Sequence, residues 1–394
     1  MLYDFETLVN RSERNSIKWK MMNERVNVND EIPPFSVADY DFEYPPELLA
    51  GFRNYISKMI FGYSYAGESY YDSFIDWMSN RHNFSVEREW ILDGNGVLSS
   101  ICNSINAFSE EDDGVIIMPP VYPPFAKTVD KNNRKLVECP LVNNAGNYQI
   151  DFTLLEKLSR EDKNKILVFC SPHNPVGRVW KKSELERLAQ ICNQNNILVI
   201  SDEIHQDILV NKAEHTVYSS INEETLNNSI ILTSASKSFN LAGARTSMII
   251  IANRKLREKY AKYVEENCHI NLNAFGYKLF EIAYKDCENW FDEFLFTVEN
   301  NYKMMKEALE GLNKDIKVSS LEGTYLMWVD MRSLNLSDND LYHFLVDECK
   351  IFINRGDSYG ESGSGFIRWN IAVPDWTLED AIKRLTEGLN KLNI

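Results

Sequence analysis

Short, uninterrupted apolar runs recur through the middle of the chain: Val115-Ile116-Ile117-Met118, Ile166-Leu167-Val168-Phe169-Cys170, Ile197-Leu198-Val199-Ile200, Ile230-Ile231-Leu232 and Met248-Ile249-Ile250-Ile251. Runs of this length without polar alternation read as strands buried on both faces. Between them the period changes. Val97 to Phe108 carries apolar residues at 97, 98, 101, 105 and 108, and Glu184 to Cys192 turns Leu185, Leu188 and Ile191 inward, so both read as helices. Strands alternating with helices predict a parallel sheet covered on both faces, with ligands beyond the strands' carboxyl ends.

The flanks differ. Residues 1–35 are polar and irregular and end in Pro33-Pro34. Phe35 to Phe42 is a short extended piece, and Glu47 to Met59 has helical spacing. Downstream, a charged helix is predicted from Arg254 to about Glu266, and a long one over Trp290–Leu312. Gly323–Asp330 and Gly365–Ala372 then alternate like strands of an antiparallel sheet, flanked by helices at about 338–349 and 377–391. The expected organisation is an N-terminal segment (1–48) packing with a small domain, a large domain (49–285) and a C-terminal small α+β domain (286–394).

Composition narrows the function classes. Of 394 residues, 44% are hydrophobic and 25% charged, which excludes a disordered or collagen-like chain. A formal net charge of -16 disfavours broad contact with nucleic acid or anionic lipid. The seven cysteines are scattered with no C-x-x-C pair, so reduced thiols are expected and no zinc site or other metal. Met1-Leu2-Tyr3-Asp4-Phe5-Glu6 has no basic segment leading into an apolar one; a soluble, cytoplasmic protein away from membranes is expected.

Candidate chemistry gathers at the strand ends. Tyr122 follows the first run inside a proline-fixed loop, Asn174 follows the second, Asp202 the third, and Lys237 the fourth. Four such groups at equivalent ends point to one pocket. Lys237, framed by Ser236 and Ser238 and followed eight residues later by Arg245, offers hydroxyls and a guanidinium to a phosphate and an amine to an aldehyde. Gly94-Asn95-Gly96-Val97 opens a helix whose free N–H groups suit an anion. Asp39 and Asp41 read as turn or cap residues, and His173 and His269 as hydrogen-bonded filler. The Tyr63 and Tyr65 hydroxyls, in a glycine-flanked loop, suit either surface packing or a phosphate. Arg368 sits inside an apolar strand and needs an anion: either an Asp or Glu of the fold, or a substrate carboxylate.

Taken together, Asn15-Ser16-Ile17-Lys18-Trp19, Ala38-Asp39-Tyr40-Asp41-Phe42, Phe61-Gly62-Tyr63, Ser171-Pro172-His173-Asn174-Pro175-Val176-Gly177, Ser201-Asp202-Glu203-Ile204-His205, Ser234-Ala235-Ser236-Lys237 with Arg245, and Arg368-Trp369-Asn370 carry a resemblance over nearly the whole chain. The sequence resembles the pyridoxal-phosphate enzymes of the aspartate aminotransferase fold, and within them the MalY/PatB-type cystathionine β-lyase (C–S lyase) branch. The resemblance implies fold type I, an α/β architecture with a mostly parallel seven-stranded sheet between helices and a smaller α+β domain. It implies pyridoxal 5′-phosphate as cofactor and a homodimer with the active site shared between subunits.

Residue by residue, it implies that Lys237 condenses with the cofactor's aldehyde and Asp202 pairs with its ring nitrogen. Asn174 bonds the ring's phenolic oxygen, Tyr122 stacks on the ring, and His205 stands where related aminotransferases carry tyrosine. Ser234, Arg245 and the N–H groups around Gly96 and Val97 hold the phosphate, with Tyr63 of the neighbouring subunit. Arg368, with Asn174 and Tyr122, binds the substrate, and Asp39 and Tyr40 lie near it. Tyr40 departs from the branch, which usually has methionine there. The expected reaction is α,β-elimination from cystathionine, cystine or another cysteine S-conjugate, as in methionine biosynthesis. The alternatives are an aminotransferase of the same fold and a pyridoxal-phosphate-binding regulator with a protein partner.

Overall fold

The computed structural model describes residues 2–26, 32–60, 62–268, 272–312 and 314–392. Among them, the apolar runs become strands of one large sheet: β1 (Ile91–Gly94), β2 (Gly114–Ile117), β3 (Lys135–Glu138), then, after a separate hairpin of β4 (Val142–Asn144) and β5 (Asn147–Gln149), β6 (Asn164–Cys170), β7 (Leu198–Asp202), β8 (Ser229–Thr233) and β9 (Ser247–Ile250). The seven strands lie in the order β1-β9-β8-β7-β6-β2-β3, and β9 runs against its neighbours in an otherwise parallel sheet.

Strand side chains alternate between faces, so each run feeds two cores. In β6, Ile166, Val168 and Cys170 face one, with Val97, Ile101 and Ile105 of the helix Val97–Phe108. Leu167 and Phe169 face the other, against Trp180, Leu185 and Leu188. Double-sided burial explains why these strands show no polar alternation. Cys170 pairs with Asp202, and Asp202 with Leu232, so the carboxyl ends of β6, β7 and β8 finish flush.

A second, antiparallel sheet runs β10-β11-β13-β12, from β10 (Lys317–Val318), β11 (Leu326–Asp330), β12 (Asn354–Arg355) and β13 (Phe366–Asn370). The long helix spans Glu288–Glu310 and the last one Asp375–Lys391. The helix predicted at 338–349 is split, with an α-turn over Asp338–His343 passing into a π-helical turn over Phe344–Glu348. The helices Glu68–His82 and Ala274–Asp286 lie outside the predicted elements. Their inward residues include Tyr70, Tyr71, Tyr277 and Tyr284, which dilute an aliphatic pattern. No described helix is long and apolar enough to cross a membrane.

The reading of Asp39 and Asp41 changes. Asp39 and Asp41 are neither turn nor cap residues: Lys18 Nζ lies 3.1 Å from Asp39 and 2.8 Å from Asp41, and Arg11 lies 3.0 and 3.2 Å from the same two. Lys18 and Asp41 are fully buried. A buried charge cluster of this kind is kept by mutual pairing, and removing one member strands the rest. Lys18→Met is therefore expected to destabilise the protein by about 3–5 kcal/mol, read as a lowered denaturant midpoint. His173 is buried filler as expected: burial pulls its pKa down to about 4, so the ring stays neutral and Nε2 bonds the Pro120 carbonyl at 2.9 Å. His269 lies outside the described residues.

Candidate active site

A cavity of about 620 Å³ opens at the carboxyl ends of β2, β6, β7 and β8. Tyr122, Asn174, Asp202 and Lys237 all line it, one from each strand end. The flush register of the parallel strands brings residues 63 positions apart in sequence, Asn174 and Lys237, to one wall. Arg368, from the middle of β13, and Val37 and Ala38, from the N-terminal segment, complete the lining.

One end of the cavity is built for an anion. The helix Val97–Phe108 starts there with no side-chain cap, so the N–H groups of its first turn are free at the positive end of the dipole. Gly96, at φ 93° and ψ 151°, makes the entry turn, a conformation that side chains resist. Arg245 and Ser236 line the same cavity.

The catalytic-type groups are electrostatically tuned by burial. Lys237 sits in a one-turn helix, Ala235–Ser238, and donates from Nζ to the Ala38 carbonyl at 2.8 Å. Burial pulls its pKa down to about 8; Asp39 and Asp202 act against that, Arg368 with it. Burial pushes the Asp202 carboxyl up to about 7, although the Ile204 N–H donates to it at 3.1 Å and Lys237 is nearby. His205 is held neutral, first by burial, then by the positive charges of Lys237 and Arg368.

Arg368 is 3% exposed, and among the described residues no carboxylate pairs with it. Its Nη1 donates to Asn174 Oδ1 at 3.1 Å and its Nη2 to Asn354 Oδ1 at 2.7 Å, while Nε has no partner. Of the two accounts of this arginine, the internal Asp or Glu is absent from the described residues. A guanidinium held by neutral amides keeps its charge for an incoming anion.

A family model for class I and II aminotransferases matches residues 34–385. The chain belongs to that family. It is 33% identical to the cystathionine beta-lyase PatB of Bacillus subtilis over 98% of this chain and 100% of that one, and 28% identical to the protein MalY of Escherichia coli over 98% and 99%. Among solved structures, cystalysin of Treponema denticola, which contains a pyridoxal 5′-phosphate cofactor, superposes with a TM-score of 0.97 at 38% identity, covering both chains fully. The PLP-bound C-S lyase of Staphylococcus hominis gives 0.91 at 28% identity, over 99% of this chain and 98% of that one. The architecture is fold type I, as the resemblance implied.

Within this family member, the cavity gathers Gly96, Val97, Tyr122, Asn174, Asp202, His205, Lys237, Arg245 and Arg368. Three other expected site residues do not line it, and Tyr63 is expected at the neighbouring subunit's site. Ser234 does not line the cavity; it is 1% exposed, donates to the Thr246 carbonyl at 2.8 Å and caps the Lys237 helix by accepting from the Ser236 N–H at 3.1 Å. Ser236, whose N–H makes that capping bond, lines the cavity instead. Tyr40 is fully buried among Phe42, Trp290, Phe294 and Tyr325, its hydroxyl on the Ser238 carbonyl at 3.1 Å. Its bulk belongs to the aromatic core beneath the site. Asp39 faces Lys18 and Arg11 and reaches Lys237 through its field alone. Tyr63 is fully exposed and does not line the cavity of its own chain. Residues not anticipated there include Asn354, Tyr359 and the Val37-Ala38 main chain. Nothing in Ile351-Phe352-Ile353-Asn354 marks the asparagine, which only strand pairing brings opposite Arg368.

Proposed function

We propose that the protein is a pyridoxal 5′-phosphate-dependent C–S β-lyase that cleaves L-cystathionine or related cysteine S-conjugates to thiol, pyruvate and ammonia. The observation carrying this reading is the single cavity shared by the Lys237 amine, the Asp202 carboxyl and the Arg368 guanidinium, each buried without a neutralising ion pair among the described residues. The β-lyase names of its full-length relatives, and the histidine at 205, favour elimination over transamination.

The residues fit the cofactor. Asp202 is a carboxyl lifted to about 7 by burial and forms no ion pair among the described residues, and a protonated ring nitrogen would supply that partner. The helix N-terminus at Gly96 and Val97, with Arg245 and Ser236, would hold the phosphate; Asn174 would hold the phenolic oxygen, and Tyr122 the ring face. Lys237 would carry the covalent link. Bound there, pyridoxal phosphate supplies an electron sink for the substrate's Cα.

The chain's own residues do the rest. Arg368 pairs with the substrate carboxylate and fixes the Cα–H bond in one orientation. Lys237, with a pKa brought to about 8 by burial, is poised near neutrality to take the Cα proton. The Ala38 carbonyl accepts a hydrogen bond from that amine at 2.8 Å. Asp202, once opposite a cation, stays ionised. In the proposed homodimer, Tyr63 reaches the phosphate site of the neighbouring subunit.

The test is incubation with L-cystathionine and no keto acid. Pyruvate and thiol are expected to accumulate in step over many turnovers. A single turnover that stalls with the cofactor as pyridoxamine phosphate would make the protein an aminotransferase.

A further inference from the structure

Asn354 stands on β12 directly opposite Arg368 on β13. Its Oδ1 accepts two hydrogen bonds, from Arg368 Nη2 at 2.7 Å and from the Val37 N–H at 2.9 Å. Both partners are donors, which fixes the amide's oxygen toward them. Val37 is β-branched yet held at φ 59°, a left-handed conformation such residues resist. The turn it opens is tied by side chains at each main-chain step. Asn370 Nδ2 donates to the Val37 and Asp39 carbonyls at 3.0 and 2.6 Å, and between them the Ala38 carbonyl accepts from Lys237 Nζ at 2.8 Å.

We infer that Asn354 is a positioning and specificity residue: it orients Arg368 for a substrate carboxylate without neutralising it, and joins that guanidinium to the turn that holds the Lys237 amine. This rests on the reading of Arg368 as the carboxylate site. The chemistry explains why a carboxamide stands here. An aspartate of the same shape would accept the same two hydrogen bonds, but would also occupy the guanidinium as an internal ion pair and compete with the substrate. An aliphatic residue would leave both donors without an acceptor. Because one oxygen serves both donors, a carboxylate that takes Arg368 Nη2 draws on the bond that shapes Val37. The substrate's arrival is thereby felt at the carbonyl beside Lys237.

The test compares N354D, N354A and R368Q holoenzymes, each checked for folding by circular dichroism and cofactor retention. Besides KM and kcat, it measures competitive inhibition by L-alanine and by ethylamine, which share an amine but not a carboxylate. For N354D, KM and the L-alanine inhibition constant are expected to rise about 10- to 100-fold, with kcat within about twofold and ethylamine unaffected. For N354A, KM is expected to rise about tenfold and kcat to fall, since the Val37 N–H loses its acceptor. Unchanged L-alanine inhibition in N354D, or equal weakening of L-alanine and ethylamine, would overturn the inference. Should N354D fail to fold, an N354A enzyme with wild-type KM and kcat does the same. R368Q separates the two levels: if it weakens L-alanine while the Asn354 variants do not, the carboxylate site stands and the role of Asn354 falls. If R368Q leaves L-alanine binding intact, the reading of Arg368 itself is wrong.

Discussion

Lys237→Ala is expected to lower turnover of L-cystathionine by at least about 10⁴-fold, the scale of losing a group that is both nucleophile and general base. The two roles make the loss larger than for any neighbour. Ala removes the amine that would carry the cofactor and the base that would take the Cα proton, and no other described amine lines the cavity. The measurement has two arms. Pyruvate release reports the rate, and intact mass after borohydride treatment reports the covalent link, which wild type should retain and the variant should lose. A variant that turns over within about tenfold of wild type would exclude Lys237 as the reacting amine. The fold should survive, because the amine's one protein partner is the Ala38 carbonyl and the cavity provides room.

Asp202→Asn is the second large effect, with two signatures of opposite sign. In the holoenzyme, an amide cannot keep a ring nitrogen protonated, and kcat is expected to fall by about 10²–10⁴-fold with weaker cofactor retention. In the cofactor-free protein, the same substitution should stabilise the fold at neutral pH. The folded carboxyl titrates at about 7 and its unfolded counterpart near 3.8. Between those values the folded state holds a proton that the unfolded chain has released, so stability falls as pH rises through that window. The shift corresponds to on the order of 4 kcal/mol, and Asn abolishes it. Thermal unfolding of the cofactor-free proteins at pH 4.5 and 7.5 reads this directly. A parallel pH dependence in wild type and variant would show that Asp202 is not the buried acid described.

Much of the fold could be read along the chain because its signals are local. The helix Val97–Phe108 was delimited to the residue by its apolar spacing, and the runs at 115, 166, 197, 230 and 248 each became a strand of the large sheet. The convergence of Tyr122, Asn174, Asp202 and Lys237 was also legible, because in a parallel sheet every strand delivers its following loop to the same edge. The helix Glu68–His82 is not legible in this way, because Tyr70 and Tyr71 stand where aliphatic residues would mark the period.

Distant pairings are what remained hidden. Asp39 and Asp41 look like turn residues until Lys18 and Arg11 are folded onto them from 20 or more positions away. Ser234 and Ser236 are chemically alike, and only the folded chain separates them, with Ser234 as a helix cap and Ser236 in the cavity lining. By itself, the sequence determined the alternating α/β layout, the strand-end chemistry and the family, since these depend on periodicity and on residue type at fixed short spacing. Only the tertiary structure decided that Arg368 is balanced by two amides instead of a carboxylate, that Tyr40 is core, and that Val37 is held in a left-handed turn beside Lys237. Burial and hydrogen-bond partnership are properties of segments far apart in the chain, and no local pattern encodes which of them will meet.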